Sequence, residues 1–247
     1  MAEHTEISWA DATFNPWIGC TKVSTGPQGA CEHCYAERDN GRRGWVPGWG
    51  PGVPRRRTKT WGDPLKWNRQ AAVTGYRPRV FCASLADVFD NEVDPNWRTD
   101  LWALIRQTPN LRWMLLTKRI GNAPKMLPDD WPYPHVGLMA TLATQAEWNR
   151  DYPKLARMLA AWRGVSAEPL LGPIDIGDAR PDWIITGGES GPQHRHINPD
   201  WVRSLRDQCI RNGVAFHHKQ WGGVRPKANG CELDGREHKD FPAALAA

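Results

Sequence analysis

Three cysteines in the first part of the chain have the residue type and spacing to grip one metal centre. Cys20, Cys31 and Cys34 form a C-x10-C-x2-C array within GCTKVSTGPQGACEHCYAE. Thiolates two residues apart can clasp a single metal, and the Gly- and Pro-containing loop lets the third return to it. Three thiolates are one short of closing a cubane iron–sulfur cluster or a tetrahedral zinc site. In a [4Fe-4S] cluster the iron left open can take a small molecule through amino and carboxylate groups, as S-adenosylmethionine binds. In a zinc site His33 is badly placed between two ligands, and His217 or His218 could supply the fourth. The spacing leaves both metals open.

The remaining features favour ligation over disulfides. The chain has six cysteines in 247 residues. Its first segment, MAEHTEISWADATFNPW, lacks the basic start and apolar core of a secretory signal, and no apolar run approaches the ~20 residues that span a bilayer. A cytoplasmic chain without a membrane partner is expected, and reducing cytoplasm removes the basis for a disulfide framework. Cys82, Cys209 and Cys231 are isolated and need no role. A charge of +5 and a pI near 9.0 are only mildly basic and exclude little.

The elements that must position these cysteines are short β-type runs separated by helical stretches. A first strand is expected within Ile7–Phe14, followed by Val80–Ala83, Trp113–Leu116, Val136–Ala140, Trp162–Ser166, Trp183–Thr186 and Val214–His217. Helices are expected over Pro95–Gln107 with Asp94 as cap, over Gln145–Ala161, and over Pro199–Asn212 between Asn198 and Gly213. The pattern implies an α/β fold, an incomplete parallel (β/α) barrel of about six or seven strands. It is expected to be one domain over 1–247, with a basic, Trp-rich loop at 42–69 and a C-terminal extension at 222–247.

In such a fold the strand C-termini share one face, where loops build a site. Polar groups recur there: Ser84 and Asp87, Thr117 with Lys118 and Arg119, Glu168, then Gly187, Gly188, Glu189 and Ser190, and finally Lys219 and Gln220. Lys118 suits a carboxylate or phosphate. Glu168 could hold a ribose, a base edge or merely Lys118. Two glycines let the backbone approach a ligand, and Glu189 can accept from an ammonium group; the same triplet also reads as a tight turn whose glutamate pairs with Arg195. A metal-independent hydrolase using Asp87, Glu168 or Glu189 as base is a further reading.

From Arg42 to Arg69 basic residues outnumber the single acid, Asp63, and Trp45, Trp49, Trp61 and Trp67 are interleaved. Arg55, Arg56, Arg57, Lys59 and Trp61 together suit a nucleic-acid strand, cations on phosphates and indole on a base. Pro47, Pro51 and Pro54 argue for an extended loop. The alternative is a solvated loop whose tryptophans cover the sheet edge.

The segments NPWIGCTKVS, CEHCYAER, SLADVF, LLTKR, SAEPLLGP, GGESGP, HINPDWVRSLRDQC and FHHKQWGG, in this order, resemble a family of unknown function widespread in phages and prophages. That family is regarded as similar to radical S-adenosylmethionine enzymes and is associated with a three-cysteine-motif partner protein. The resemblance implies a [4Fe-4S] cluster on Cys20, Cys31 and Cys34 with S-adenosylmethionine beside it, in a host cytoplasm; joined to the basic segment, it leads to the expectation of a 5′-deoxyadenosyl radical acting on a nucleic acid base or nucleotide. The wider radical enzymes use C-x3-C-x2-C and carry Gly-Gly-Glu after an early strand. Here the first spacing is ten, and the triplet follows a late strand. A non-catalytic, zinc-stabilised module binding nucleic acid or a partner protein is the reading from another class.

Overall fold

The computed structural model describes residues 3–225 and 227–245. Of the expected C-terminal extension, Pro226, Ala246 and Ala247 lie outside the described residues. In chain order the elements are β1 (Ala12–Phe14), β2 (Trp17–Ile18), α1 (Tyr35–Arg43), β3 (Arg56–Arg57), α2 (Asp63–Thr74), β4 (Arg79–Cys82) and α3 (Pro95–Arg106). They continue with β5 (Arg112–Thr117), the short α4 (Ala123–Met126), β6 (Val136–Thr141), α5 (Gln145–Ala156), β7 (Arg163–Ala167), β8 (Trp183–Thr186), α6 (Pro199–Asn212), β9 (Ala215–His218), β10 (Glu232–Leu233) and β11 (Arg236–Glu237). The fold is α/β. Its seven-stranded parallel sheet runs in sequence order, β1-β4-β5-β6-β7-β8-β9, the topology of an incomplete (β/α) barrel.

The chain forms two compact units. The first holds the residues up to Lys22, Ala36–Leu138 and Leu159–Ala161; the second holds Val23–Tyr35, Met139–Met158 and everything from Trp162 onward. In the first, β1, β4 and β5 pair in parallel, with Phe14 opposite Cys82 and Cys82 opposite Leu115. These strands are near-continuous apolar runs because both sheet faces are covered. Phe14 meets Trp113 edge-on at 5.8 Å, and both are fully buried. In the second, β7, β8 and β9 pair in parallel around the fully buried Trp183, whose ring lies 5.8 Å from Trp162 and 5.2 Å from Phe241.

Helix limits follow from their caps where caps decide them. Asp94 accepts from Asn96 N–H at 2.9 Å, and Asn198 accepts from Asp200 N–H at 2.9 Å. Gly213, at φ 69°, closes α6 in the left-handed conformation that glycine adopts without a Cβ penalty. Helix α5 ends at Ala156, five residues before the expected Ala161. Pro153 removes a donor inside its last turn, and Ala161 N–H is bonded instead to Val136 O at 3.2 Å. Strand β4 likewise stops one residue early, since Ala83 has φ 67° and cannot continue an extended run. One element had no clear sequence signal: the antiparallel ribbon pairing Trp17 with Arg57 and Ile18 with Arg56. The expected loop at 42–69 is therefore interrupted by β3, and its last residues belong to α2. Among the described residues no helix is long and apolar enough to cross a membrane.

Candidate functional site

In the first unit the residues that follow β4 and β5 converge on Cys20. Asp87 is the hub. Its carboxylate accepts from the Thr117 hydroxyl at 2.7 Å, from the N–H groups of Phe89 at 2.9 Å and Lys118 at 3.0 Å, and from the Arg119 guanidinium at 3.3 Å. The same guanidinium donates to Cys20 Sγ at 3.5 Å and to the Thr21 carbonyl. Burial, and then the nearby Asp87 carboxylate, push the Cys20 thiol up to about 12. Ser84 shares hydrogen bonds with Asn15, which also accepts from Leu85 N–H at 2.7 Å. Asp87 and Thr117 thus hold the protein's own chain, while the half-buried Lys118 ammonium has no hydrogen-bond or ion partner among the described residues.

The basic segment divides sharply. Arg55 is a core residue: its side chain is 1% exposed and its donors go to Asp90 at 2.8 and 2.9 Å, to the carbonyls of Gly50 and Val53, and to the Thr21 hydroxyl. Its placement on a nucleic-acid surface is therefore corrected; a guanidinium so enclosed cannot reach a phosphate. Arg57 pairs with Asp100 at 2.6 Å and lies over the Trp61 ring at 4.1 Å from the centroid, so both are committed to the protein. Arg56 and Lys59 are exposed. Composition could not separate these four cations, because the partners of Arg55 and Arg57 lie over thirty positions away.

In the second unit the residues after β7, β8 and β9 meet. Lys219 pairs with Glu168 at 3.0 Å, and the Ser166 hydroxyl donates to Glu168 at 3.1 Å. Lys219, rather than Lys118, is the partner of this carboxylate. Gln220 donates to the Ser190 hydroxyl at 2.8 Å. Glu189 accepts from the Arg195 backbone N–H and from Nε at 2.9 Å, and from Nη2 at 2.5 Å. Burial acts to raise the Glu189 carboxyl, but the bonds and charge of Arg195 outweigh it and leave it below the usual carboxylate range. The Glu189–Arg195 pair, one of the two expectations for Gly187–Glu189, is thus present. The glycines serve close packing too: a Cβ on Gly188 would stand 1.9 Å from the Trp221 carbonyl oxygen, and one on Gly187 would stand 2.9 Å from Glu168 Oε1.

The histidines proposed as a fourth zinc ligand are both core residues. His217 packs edge-on to Trp183 at 5.8 Å and Phe241 at 5.5 Å. His218 Nδ1 is 3.0 Å from the Thr186 hydroxyl, and burial pulls its pKa down to about 3. The unfolded ring, at about 6.5, takes up a proton that the folded ring refuses. Stability contributed by the neutral ring is complete above about 6.5 and falls as the pH drops toward 3, by about 1.4 kcal/mol per pH unit for this group. We expect the His218 ring signals in NMR spectra to stay those of neutral imidazole down to pH 5; a titration midpoint near 6 would contradict the burial argument.

All three array cysteines are free thiols, Cys31 buried and the others partly so. Cys20 belongs to the first unit, and Cys31 and Cys34 to the second. Among the described residues no three His, Cys, Asp or Glu side chains stand together as a set that could hold a metal ion. In the second unit the loop carrying the cysteine pair is held by Ser24, which donates to Glu147 at 2.6 Å and whose carbonyl accepts from Cys31 N–H at 2.8 Å. Arg195 also donates to the Pro27 carbonyl at 2.9 Å and the Gly29 carbonyl at 3.1 Å.

Residues 4–242 match a family described as a protein of unknown function (DUF5131). No curated protein and no solved structure matches the chain.

Proposed function

The chain belongs to the DUF5131 family, whose function is unknown, and from the resemblance of its motifs together with its own residues we propose that it is a phage-associated iron–sulfur enzyme of the radical S-adenosylmethionine type, acting on a nucleic acid base or nucleotide. The observation that carries this reading is the meeting at Cys20 of groups from two strand ends, Asp87 after β4 and Arg119 after β5. A structural cysteine needs no guanidinium. On a thiolate bound to iron, such a donor would help set the potential of the centre, because hydrogen bonds to the sulfur tune it.

The donor set also fits: three soft thiols, none consumed in a disulfide, in an array that leaves one iron of a cubane open. The proposed ligands are Cys20, Cys31 and Cys34, and the binding free energy of a metal site is commonly also ordering free energy for its loops. Positive metal charge would reverse the preference of Cys20 for its protonated form, since a coordinating thiol is deprotonated outright. A bound cluster would supply the electron that cleaves the sulfonium of S-adenosylmethionine. The chain's own residues orient and shield: Asp87 and Arg119 hold Cys20, and Lys118 offers an uncommitted cation for a carboxylate or phosphate.

Anaerobic reconstitution should give a brown protein with about four irons per chain. Cys20→Ala, Cys31→Ala and Cys34→Ala should each lose most of the iron, and dithionite should release 5′-deoxyadenosine from S-adenosylmethionine with the wild type alone. A colourless protein carrying zinc, or iron retained in all three variants, would end this reading.

A further inference from the structure

The first unit contains a cavity of about 330 Å³ beside the β2–β3 ribbon, lined by Asn15, Ile18, Trp45, Thr58, Leu85 and the basic trio Arg56, Arg57 and Lys59, with Thr60 at its edge. Its chemistry is split. Ile18 and Leu85 are apolar, Trp45 brings a half-buried indole, and the opposite resource is cationic. Arg57 is already matched by Asp100. Arg56 and Lys59 are exposed and have no acidic partner among the described residues. A ligand that satisfies both halves carries an anionic group, such as a phosphate, next to a flat, apolar-faced ring.

We propose that this cavity receives one unstacked nucleotide of a single-stranded nucleic acid, with phosphates on Arg56 and Lys59 and the base against Trp45. The size lies at the low end of small-ligand sites, enough for one nucleotide rather than a length of strand. A base inside a duplex has both faces covered and cannot enter such a concavity without leaving its stack. Cation and indole side by side are the elements of single-strand binding, phosphate neutralisation plus stacking.

Two of the cavity's residues are neighbours in the chain of Cys20 and Asp87, within the same unit. Ile18 precedes Cys20 by two positions, Leu85 precedes Asp87 by two, and Gly19 N–H donates to the Leu85 carbonyl at 3.1 Å. This placement deepens the proposal that the enzyme acts on a nucleic acid, and rests on it for its biological sense, although binding itself can be measured without activity.

The test is fluorescence anisotropy of the full chain with 5′-fluorescein-labelled ten-nucleotide oligothymidylate and oligouridylate, at several salt concentrations. Thymidine 5′-monophosphate and inorganic tripolyphosphate serve as competitors, and a ten-base-pair duplex as comparison. Arg56→Ala/Lys59→Ala should weaken single-strand binding and reduce the log–log salt slope by about 1.4, two contacts at about 0.7 each. Trp45→Ala should weaken it about fivefold or more, with Trp45→Phe recovering most of the loss. Competition by the mononucleotide but not by tripolyphosphate fits a site that reads base and phosphate together.

Unchanged affinity in both alanine variants would overturn the proposal. So would an equal loss in Arg69→Ala, which removes an exposed cation outside the cavity, or tighter binding of the duplex. If a chain that holds iron and cleaves S-adenosylmethionine binds no oligonucleotide through these residues, the cavity proposal falls and the enzyme reading stands. If an iron-free, colourless chain binds through them, the reverse holds.

Discussion

Replacing Arg55 with alanine is expected to destabilise the first unit by about 3–5 kcal/mol, far more than the same change at its neighbour Arg56. The reason is the carboxylate left behind. Asp90 is 2% exposed in its side chain and takes two bonds from Arg55, so alanine leaves a buried charge with its nearest cation gone. Arg119, at 3.8 Å from Asp90, is a weaker substitute already engaged by Asp87. The Gly50 and Val53 carbonyls and the Thr21 hydroxyl lose their donor at the same time, which ties the loss to the segment around Cys20. Pairing Arg55→Met with Asp90→Asn should recover part of the loss, because the unbalanced charge goes with its partner. Urea denaturation midpoints decide it. A shift no larger than that of Arg56→Ala, within about 0.5 kcal/mol, would mean that water reaches Asp90.

Gly188→Ala is expected to be among the most damaging small substitutions in the second unit. Its methyl would lie 1.9 Å from the Trp221 carbonyl oxygen and 2.5 Å from the carbonyl carbon, well inside contact distance. Neither chain can step aside cheaply. Gly188 N–H is bonded to Gln220 O at 2.9 Å, and Gly223 N–H to Glu189 O at 2.9 Å, so the two segments are stitched on both sides of the clash. Relief means breaking those bonds, each net about 1 kcal/mol, and moving backbone against its half-buried neighbours, for a total of about 3 kcal/mol or more. The expected result is loss of soluble protein or a sharply lowered thermal midpoint, with Gly172→Ala, where nothing lies within 4 Å, close to wild type. A normal midpoint for Gly188→Ala would show that the segments slide more freely than their bonds suggest.

The same contrast explains what could be read from the sequence. Helix α6 was legible to the residue, since Asn198 and Gly213 act on their own neighbours, and Trp183–Thr186 was legible because four buried apolar or β-branched residues leave no other register. The end of α5 was not, for it depends on a sheet bond made by Ala161. Some of the polar groups expected at strand ends bond one another within each unit, as with Asp87, Thr117 and Arg119, or Glu168 and Lys219. Strand-end polarity could not tell which of them face the chain and which face outward. Trp45 was named with Trp49, Trp61 and Trp67 but not singled out, because nothing local distinguishes a cavity wall from a packed ring.

The way Asp87 grips the start of the loop after β5 bears on how readily an anion could be caught there. With the Lys118 amide and both flanking residues fastened, the lysine is a flexible arm on a stationary post. Only its side-chain torsions need settle when a negatively charged visitor arrives, a penalty of about 0.5–1.5 kcal/mol, with no main-chain freezing added. An anion caught at that post therefore meets an anchor already set in place, and little of its binding free energy goes into ordering the protein.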